Sequence, residues 1–315
     1  MTKKVSVRMD VGEIVPAEAA QMIAADIFVP AGAVRFALYC LPGGGVNRQY
    51  FDLAGEGMSF ARAMAARGAL VVTIDHAGVG ESSEPTDRYK LSAFVVALAN
   101  ARACAAIATG LKEGTLVEGL APLAVPFSIG VGHSMGAMLT VLQAVAAPMH
   151  RALALLCFST RGLPEVLNEY EALAELAPDH GRGAAEELAR IRFVGDPRKQ
   201  GMQVEGSSPA SLAMVPVQDK MLETSAILSM LPNNVSPEAA QIKIPVFLGV
   251  GERDFTGRPE RIPKAFSACR DVTLYVLPGA GHHLFVSAGR AELFARMAAW
   301  FDDIERGVAP AARAN

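Results

Sequence analysis

The chain has 315 residues, of which 51% are hydrophobic and 19% charged, and its formal net charge is −3. This balance is typical of a globular protein with an extensive core and excludes a disordered or fibrous chain. Because the charge is nearly balanced and Lys and Arg form no cluster, we expect no nucleic-acid partner. The sequence has neither a signal-peptide core nor the roughly 20 uninterrupted apolar residues of a membrane span, so we expect a cytoplasmic protein with no membrane partner.

Short apolar segments bounded by turn residues predict buried strands, because they are continuously apolar rather than alternating. They cover residues 25–30, 34–42, 69–75, 126–133, 151–159, 244–252 and 271–279. Helical patterns lie between most of them, at residues 50–67, 91–111, 135–147, 259–268 and 284–305. The alternation predicts an α/β fold with a doubly wound, mostly parallel sheet. The short connection at residues 30–33 predicts that the first two strands form an antiparallel hairpin at one edge.

A long interval between residues 159 and 244 breaks this alternation. Its helical patterns cover residues 165–176, 183–193 and 220–230, and it has no convincing strand. An insertion of this length after a core strand is either a second small domain or a lid. Its methionines predict an adaptable apolar pocket, although packing within the insertion would explain them equally well. They are Met202, Met214, Met221 and Met230.

Residues 132–136 read GHSMG and fit the pattern G-x-S-x-G, directly after a predicted strand and before a helical pattern. In a nucleophile elbow the two glycines avoid clashes across a very tight turn, and the hydroxyl of Ser134 projects above the sheet edge. A plain strand-to-helix turn would also use glycine and serine. Reactive groups gather at the carboxyl ends of parallel strands, so the position favours Ser134 as a nucleophile.

A serine nucleophile needs a base, and His282 is the best placed histidine. It follows the last predicted strand in LPGAGHH, whose glycines allow the loop to fold back towards the neighbouring strand ends. The adjacent His283 remains an alternative on these grounds. The other histidines fit structural or exposed roles, and they are His76, His133, His150 and His180.

The acid that orients the base is predicted to be Asp254, which lies just beyond a predicted strand in GVGERDF. Glu252 is two residues nearer the strand and is the second choice. Asp271 precedes a strand and therefore lies at the wrong end of the sheet.

The residues PGGG at 42–45 follow another strand end and leave backbone N–H groups open to a substrate oxygen. We expect Gly44, or else Gly43 or Gly45, to donate to an oxyanion together with the N–H of Met135 at the start of the next helix. A plain turn is the alternative. A phosphate cradle is disfavoured, because neither the P-loop pattern nor G-x-G-x-x-G is present.

The cysteines lie far apart, with no C-x-x-C pair and no histidine at zinc spacing. We expect buried free thiols rather than disulfides or a metal site, and neither a metal nor an organic cofactor. The cysteines are Cys40, Cys104, Cys157 and Cys269.

Taken together, these motifs resemble the α/β-hydrolase superfamily over about residues 20–305. The motifs are GHSMG at 132–136, PGGG at 42–45, DHAGVGES at 75–82, GERD at 251–254 and GAGH at 279–282. The chain order of serine, acid and histidine is also that of the family. Pro42 stands where many members have histidine in the oxyanion motif.

The resemblance implies a hydrolase core at residues 1–162 and 241–315, with a helical cap at 163–240 inserted after the sixth strand and lying over the active site. It also places the base immediately after the glycine, which selects His282 over His283.

The function implied is that of a serine hydrolase acting on an ester or related carbonyl substrate. Ser134 would attack the carbonyl, His282 would take its proton and later activate water, and Asp254 would orient the imidazole. Gly44 and Met135 would hold the oxyanion.

Some related reactions are left open by the sequence. A serine at the elbow argues against haloalkane dehalogenases and epoxide hydrolases, which carry aspartate there. Carbon–carbon bond hydrolases, lactonases, thioesterases and perhydrolases share the triad, and a non-catalytic small-molecule binding protein is the second class of function. We expect a small apolar ester-like substrate, and the oligomeric state is left open.

Overall fold

The computed structural model describes residues 2–163, 185–187, 189–190 and 209–307. Its strands are β1 Lys3–Asp10, β2 Met22–Val29, β3 Phe36–Leu41, β4 Ala69–Ile74, β5 Ser128–His133, β6 Ala152–Leu156, β7 Val246–Gly251 and β8 Val272–Leu277. They form one sheet in the order β1-β2-β4-β3-β5-β6-β7-β8. Pairing is parallel from β4 to β8 across the sheet, and β2 is antiparallel to both β1 and β4.

Helices cover both faces of this sheet, as the alternation of strands and helices predicts. The helices are α1 Phe60–Ala65, α2 Ala93–Glu113, α3 Met135–Ala146, α4 Pro209–Leu212, α5 Glu223–Met230, α6 Ser236–Ala239 and α7 Arg290–Arg306. One apolar cluster joins α2 and α3 to one face of the sheet, and a second joins α1 and α7 to the other. Every residue of β3 to β7 is buried, which explains why their sequences are continuously apolar.

Three predicted helices are broken in the structure. The pattern at residues 50–67 divides into a 3₁₀ turn at Arg48–Asp52 and helix α1. Gly55 and Gly57 lie between them with φ of +123° and +66°, and a right-handed helix cannot contain such residues. The pattern at 259–268 is a 3₁₀ helix, Pro259–Ala265, with Pro263 inside it. The pattern at 284–305 divides into a 3₁₀ turn at Leu284–Val286 and helix α7. The described core therefore keeps the predicted order of these elements, with shorter helices at three places.

The predicted hairpin at one edge of the sheet is wrong. β2 pairs with β1 and β4, whereas β3 pairs with β4 and β5. Residues 30–35 therefore cross over one strand, a distance of roughly 10 Å that a short extended segment spans easily. The edge strand is β1, which was not predicted because its exposed and half-buried residues alternate and four of its eight residues are charged.

Helix α2 is long and apolar enough to cross a membrane by length and composition, but 56% of its apolar window is buried inside the fold. A core helix passes the same test, and the packing of α2 against β1, β2 and α3 accounts for its apolar residues.

The insertion is described in part. The pattern predicted at residues 220–230 is the helix α5, whereas the patterns at 165–176 and most of 183–193 lie outside the described residues. Ala226 and Ile227 of α5 are buried in the cluster that α2 and α3 share with the sheet. The described part of the insertion thus packs directly on the core next to the carboxyl ends of the strands.

Candidate active site

Ser134 lies in a strained turn between β5 and α3. Its backbone has φ 54° and ψ −122°, which a non-glycine residue adopts only where the surrounding structure enforces it. The two motif glycines are required by contact. A Cβ at Gly132 would lie 2.4 Å from the Cα of Ala137, and one at Gly136 would lie 2.2 Å from the carbonyl oxygen of Leu41. The turn therefore has the geometry of a nucleophile elbow.

Three predicted site residues from three different strand ends meet at this elbow. The Nε2 atom of His282 lies 2.9 Å from the Oγ of Ser134, and its Nδ1 lies 2.8 Å from the Oδ1 of Asp254. A carboxylate accepts only, so Nδ1 carries the imidazole proton and Nε2 is left to accept the serine proton. The arrangement is able to remove a proton from the Ser134 hydroxyl.

The acid is ionised. Burial alone would raise the pKa of Asp254, but His282, together with smaller contributions from the Cys157 thiol and the backbone N–H of Thr256, outweighs it, and the pKa lies below its usual value. The Asp254 side chain is fully buried, whereas Ser134 is partly exposed to the cleft. Phe255 stacks on the imidazole of His282, with ring centroids 4.1 Å apart. This ring shields the pair from water on one side.

Two further histidines support this base. The Nε2 of His133 lies 2.9 Å from the carbonyl oxygen of His282 and donates to it, which fixes the backbone that carries the base. Burial lowers the pKa of His133 well below its usual value, with His282 and His283 adding to the effect. The neighbouring His283 faces Tyr50 and His133 instead of the serine, and burial lowers its pKa to about 4. Both supporting rings are therefore neutral at physiological pH.

The glycine segment after β3 lies against the elbow. A Cβ at Gly43 would lie 3.2 Å from the Cβ of Ser134, and one at Gly44 would lie 3.7 Å from the Sδ of Met135. Among the described residues, none accepts a hydrogen bond from the N–H of Gly44 or Met135. The glycine segment thus contacts the nucleophile at Gly43, and the N–H groups of Gly44 and Met135 remain the predicted oxyanion donors.

A buried relay holds the glycine segment in place. The Nε2 of His76 lies 2.9 Å from the carbonyl oxygen of Pro42, and its Nδ1 lies 3.0 Å from the Nδ2 of Asn100. The Asn100 amide donates to Nδ1, so the imidazole proton is on Nε2 and is donated to Pro42. Because this carbonyl shares a peptide plane with the N–H of Gly43, the relay orients the start of the segment.

An ion cluster fixes the residues that follow this segment. Arg48 bonds to the buried carboxylate of Asp75 through its guanidinium and, at 2.7 Å, through its backbone N–H. Its Nε lies 3.1 Å from Asp26, and its other nitrogen pairs with Glu81. A Cβ at Gly80 would collide with the Asp75 carboxylate, which explains the second glycine of the motif at 75–82.

A cleft opens above the elbow, and its wall is partly apolar. The residues lining it include Ser134, Met135, Phe158, Leu163, Phe255 and His282. Ser229 of α5 also lines it, so the insertion contributes to the wall. The three described methionines of the insertion are not among the residues that line this cleft. Met214 is buried in the core, Met230 packs at its margin, Met221 reaches Gly44, and Met202 lies outside the described residues.

The alternatives considered for the site have other partners. Glu252 accepts the N–H of Gly279 at 2.7 Å and so braces the loop that carries His282. His76, His133 and His150 are buried, and His180 lies outside the described residues.

Sequence reasoning passed over two residues next to the site, Phe255 and Cys157. Phe255 directly follows the predicted acid and Cys157 directly follows the end of β6, and these positions could have identified them. All four cysteines are free, and Cys269 alone of the four is only partly buried.

Comparison with known proteins agrees with this fold. A family model described as "Alpha/beta hydrolase family" matches residues 38–296. No curated protein sequence matches the chain.

Solved structures with the same fold are similar over nearly the whole chain. The peroxisomal alpha-beta-hydrolase Lpx1 of Saccharomyces cerevisiae has a TM-score of 0.63 and 14% identity, covering 100% of this chain and 92% of that one. The monoacylglycerol lipase of Paleococcus ferrophilus has a TM-score of 0.62 and 17% identity, covering 96% and 99%. A thermophilic esterase of Thermogutta terrifontis has a TM-score of 0.59 and 16% identity, covering 95% and 99%. At these identities the likeness concerns the fold.

Proposed function

The chain belongs to the alpha/beta hydrolase family, and from this premise we propose that it is a serine hydrolase that cleaves an ester or a related carbonyl substrate. The observation that supports this most strongly is the continuous hydrogen-bonded series from Ser134 through His282 to Asp254, at 2.9 Å and 2.8 Å. A non-catalytic binding protein would not need this alignment or the strained backbone of Ser134.

The reaction begins with attack by the Oγ of Ser134 on the substrate carbonyl. The Nε2 of His282 accepts the hydroxyl proton, and Asp254 stabilises the resulting imidazolium. The N–H groups of Gly44 and Met135 stabilise the oxyanion, and the positive end of the α3 dipole adds to them.

His282 then returns the proton to the leaving alcohol, and an acyl-enzyme remains on Ser134. Water, activated by the same imidazole, hydrolyses this ester and restores the serine.

The substrate is proposed to be a small apolar ester, because Met135, Phe158, Leu163 and Phe255 line the cleft. The insertion at residues 163–240 is proposed to act as a cap, since Ser229 of α5 forms part of the cleft wall. A cytoplasmic location without a nucleic-acid or membrane partner completes the proposal and rests on composition.

The experiment is a panel of chromogenic esters with acyl chains of increasing length, alongside matched thioesters and lactones. Ester turnover that is abolished in Ser134→Ala and highest for medium apolar or aromatic acyl groups would support the proposal. A folded protein that turns over none of these compounds would contradict it. Preference for the lactone or thioester set would retain the triad chemistry and change the substrate class.

A further inference from the structure

A cysteine lies beside the acid and the base of the proposed triad. Cys157 directly follows β6, with φ 52°, and its thiol is buried. Its sulfur, a carboxylate oxygen of Asp254 and a ring nitrogen of His282 all lie within 4.8 Å of one another. The mechanism derived above makes no use of this thiol. Three potential metal ligands of different chemistry therefore meet at one point.

The carboxylate in this group is incompletely satisfied. Oδ1 of Asp254 bonds to His282, whereas the buried Oδ2 meets no donor at standard hydrogen-bond geometry among the described residues. The Cys157 thiol and the backbone N–H of Thr256 lie near enough to this carboxylate to lower its pKa, but neither completes such a bond to Oδ2. A buried carboxylate oxygen without a donor is costly, and a bound cation would satisfy it. The open oxygen is thus an observation, independent of the cysteine, that points to a cationic ligand.

We infer that Cys157, Asp254 and His282 form an inhibitory binding site for Zn²⁺ or a similar thiophilic divalent cation. Sulfur, imidazole nitrogen and carboxylate oxygen are the ligand types that Zn²⁺ uses in proteins. Mg²⁺ and Ca²⁺ prefer oxygen ligands alone and are excluded by this donor set.

The geometry needs only a small adjustment. Ligand bonds of about 2.0–2.3 Å in a tetrahedron place the ligand atoms roughly 3.3–3.8 Å apart, so rotations that move these side chains by about 1 Å suffice. The cleft that reaches Ser134 is also lined by Cys157 and His282, which provides the entry path. A substrate-derived or water oxygen from the cleft completes the fourth position.

Charge balance favours the bound state. Binding releases the thiol proton to solvent, so a thiolate, a carboxylate and a neutral imidazole surround an ion of charge +2, and the site is neutral. In the metal-free protein the buried carboxylate is stabilised by hydrogen bonding to a neutral imidazole and has no full positive charge beside it. The ion therefore removes a buried charge as well as filling the open coordination of Asp254.

Inhibition follows from the position of the imidazole proton, and this step rests on the proposed function. The ion takes the place of the proton on Nδ1 of His282. A neutral imidazole has one remaining proton, which must then be on Nε2. Because Nε2 is the atom that accepts the proton of Ser134, the metal-bound protein lacks its base. Removal of the ion restores it.

The first measurement is Zn²⁺ binding to the chelator-treated protein by isothermal titration calorimetry, with ester turnover recorded in parallel. We expect one ion per chain, loss of turnover on binding, recovery with EDTA, and no effect of Mg²⁺.

Cys157→Ser and Cys157→Ala should weaken Zn²⁺ binding by at least about tenfold, and the inhibition of each variant is measured against its own metal-free rate. Cys269→Ser is the matched control, because the thiol of Cys269 instead bonds to the carbonyls of Ile244 and Asp271. Equal affinity in the Cys157 variants would overturn the site.

A measurement on the wild-type protein tests the metal site even if the cysteine variants fail to fold. X-ray absorption of the Zn²⁺-loaded wild-type protein should show one sulfur neighbour at about 2.3 Å. A shell of nitrogen and oxygen alone, or no binding below millimolar Zn²⁺, would also overturn the site. These readouts need no turnover. A protein that binds Zn²⁺ through sulfur but hydrolyses no ester would refute the proposed function alone, and an active hydrolase that binds no Zn²⁺ would refute the metal site alone.

Discussion

Two buried acid–base pairs lie near the carboxyl edge of the sheet and are buried to the same extent. The basic side chain is 6% exposed and the acidic one 0% both in the pair of Arg48 with Asp75 and in the pair of His282 with Asp254. Their chemistry differs. A guanidinium does not lose its proton in proteins, whereas an imidazole does so near neutral pH. The first pair can therefore only hold the chain in place, and the second can also move a proton.

The two carboxylates also differ in the hydrogen bonds that they accept. Both oxygens of Asp75 accept hydrogen bonds, from Arg48 and from the backbone N–H of Glu81. Oδ2 of Asp254 meets no donor at standard hydrogen-bond geometry among the described residues, and its partner His282 lines the cleft and bonds to Ser134. The comparison teaches that burial and ion pairing do not identify a reactive site. The identity of the base and its access to solvent do.

The largest expected effect comes from removing the nucleophile. Ser134→Ala should lower kcat by about 10⁴-fold or more, because nucleophile and base act as a unit. The fold should persist, as alanine at this position buries no new polar group. Turnover of the best ester and circular dichroism of both proteins provide the measurement. A variant with near wild-type turnover would remove the serine-hydrolase account.

Substitution of each adjacent histidine in turn tests which of the two rings acts as the base. His282→Gln should lose nearly all activity, since glutamine cannot accept the serine proton. His283→Gln should keep a substantial fraction, because His283 packs against Tyr50 and His133 away from the serine. Steady-state kinetics on the same ester decides. The opposite order in two folded variants would move the base to His283.

The same Asp→Asn substitution in each pair should mainly lower the reaction rate in one pair and mainly lower the stability of the fold in the other. Asp254→Asn should lower kcat by about 10⁴-fold with a small change in stability, because the imidazole loses its orientation. Asp75→Asn removes the fully buried acidic partner of Arg48, which keeps only Asp26 and Glu81, and should lower the free energy of unfolding by about 1.5–3 kcal/mol, with a much smaller loss of rate. Kinetics and urea unfolding are measured on both. Equal effects on rate would show that the two pairs do not divide these roles.

A moderate effect is expected from substitution of His76 in the buried relay that holds the glycine segment. His76→Leu removes the donor to the carbonyl of Pro42 and should lower kcat by about 10- to 100-fold with little change in KM, less than the loss of a direct oxyanion donor. His76→Gln offers an amide donor in the same place and should recover part of the rate. A loss that appears in KM instead of kcat, or no rescue by glutamine, would argue against an effect on the oxyanion segment.

The smallest effect concerns acid stability. Burial lowers the pKa of His150 to about 4, whereas an unfolded histidine titrates at about 6.5. Between these values the unfolded state binds more protons, so the free energy of unfolding falls as the pH falls, by at most about 1.4 kcal/mol per pH unit for this residue. His150→Gln should flatten the dependence of urea unfolding on pH from 6.5 to 4. An unchanged slope would show that His150 is protonated in the folded state.

Features of the fold and the site that have a local sequence pattern could be predicted. The central strands could be read directly, because burial on both faces makes their sequences continuously apolar. The elbow, Asp254 and His282 could be proposed because each lies at or shortly after the end of a predicted strand, and parallel strands bring their carboxyl ends to one edge.

Other features depend on contacts that no local pattern records. The pairing of β2 with β1 and β4 depends on strand order, and β1 has the alternating pattern of an edge strand. The approach of Cys157 to Asp254 joins two strand ends far apart in the chain, so spacing rules for metal sites could not detect it. The role of His76 depends on a hydrogen bond to Pro42 in another loop.

Ser134 is proposed to be a nucleophile that His282 activates. Labelling of the folded protein with a fluorophosphonate, followed by mass spectrometry of its peptides, tests this without knowledge of the substrate. We expect one adduct per chain on Ser134, which is absent in Ser134→Ala, much slower to form in His282→Gln, and formed at nearly the normal rate in His283→Gln. A folded wild-type protein that is not labelled, or that is labelled at another residue, would contradict it.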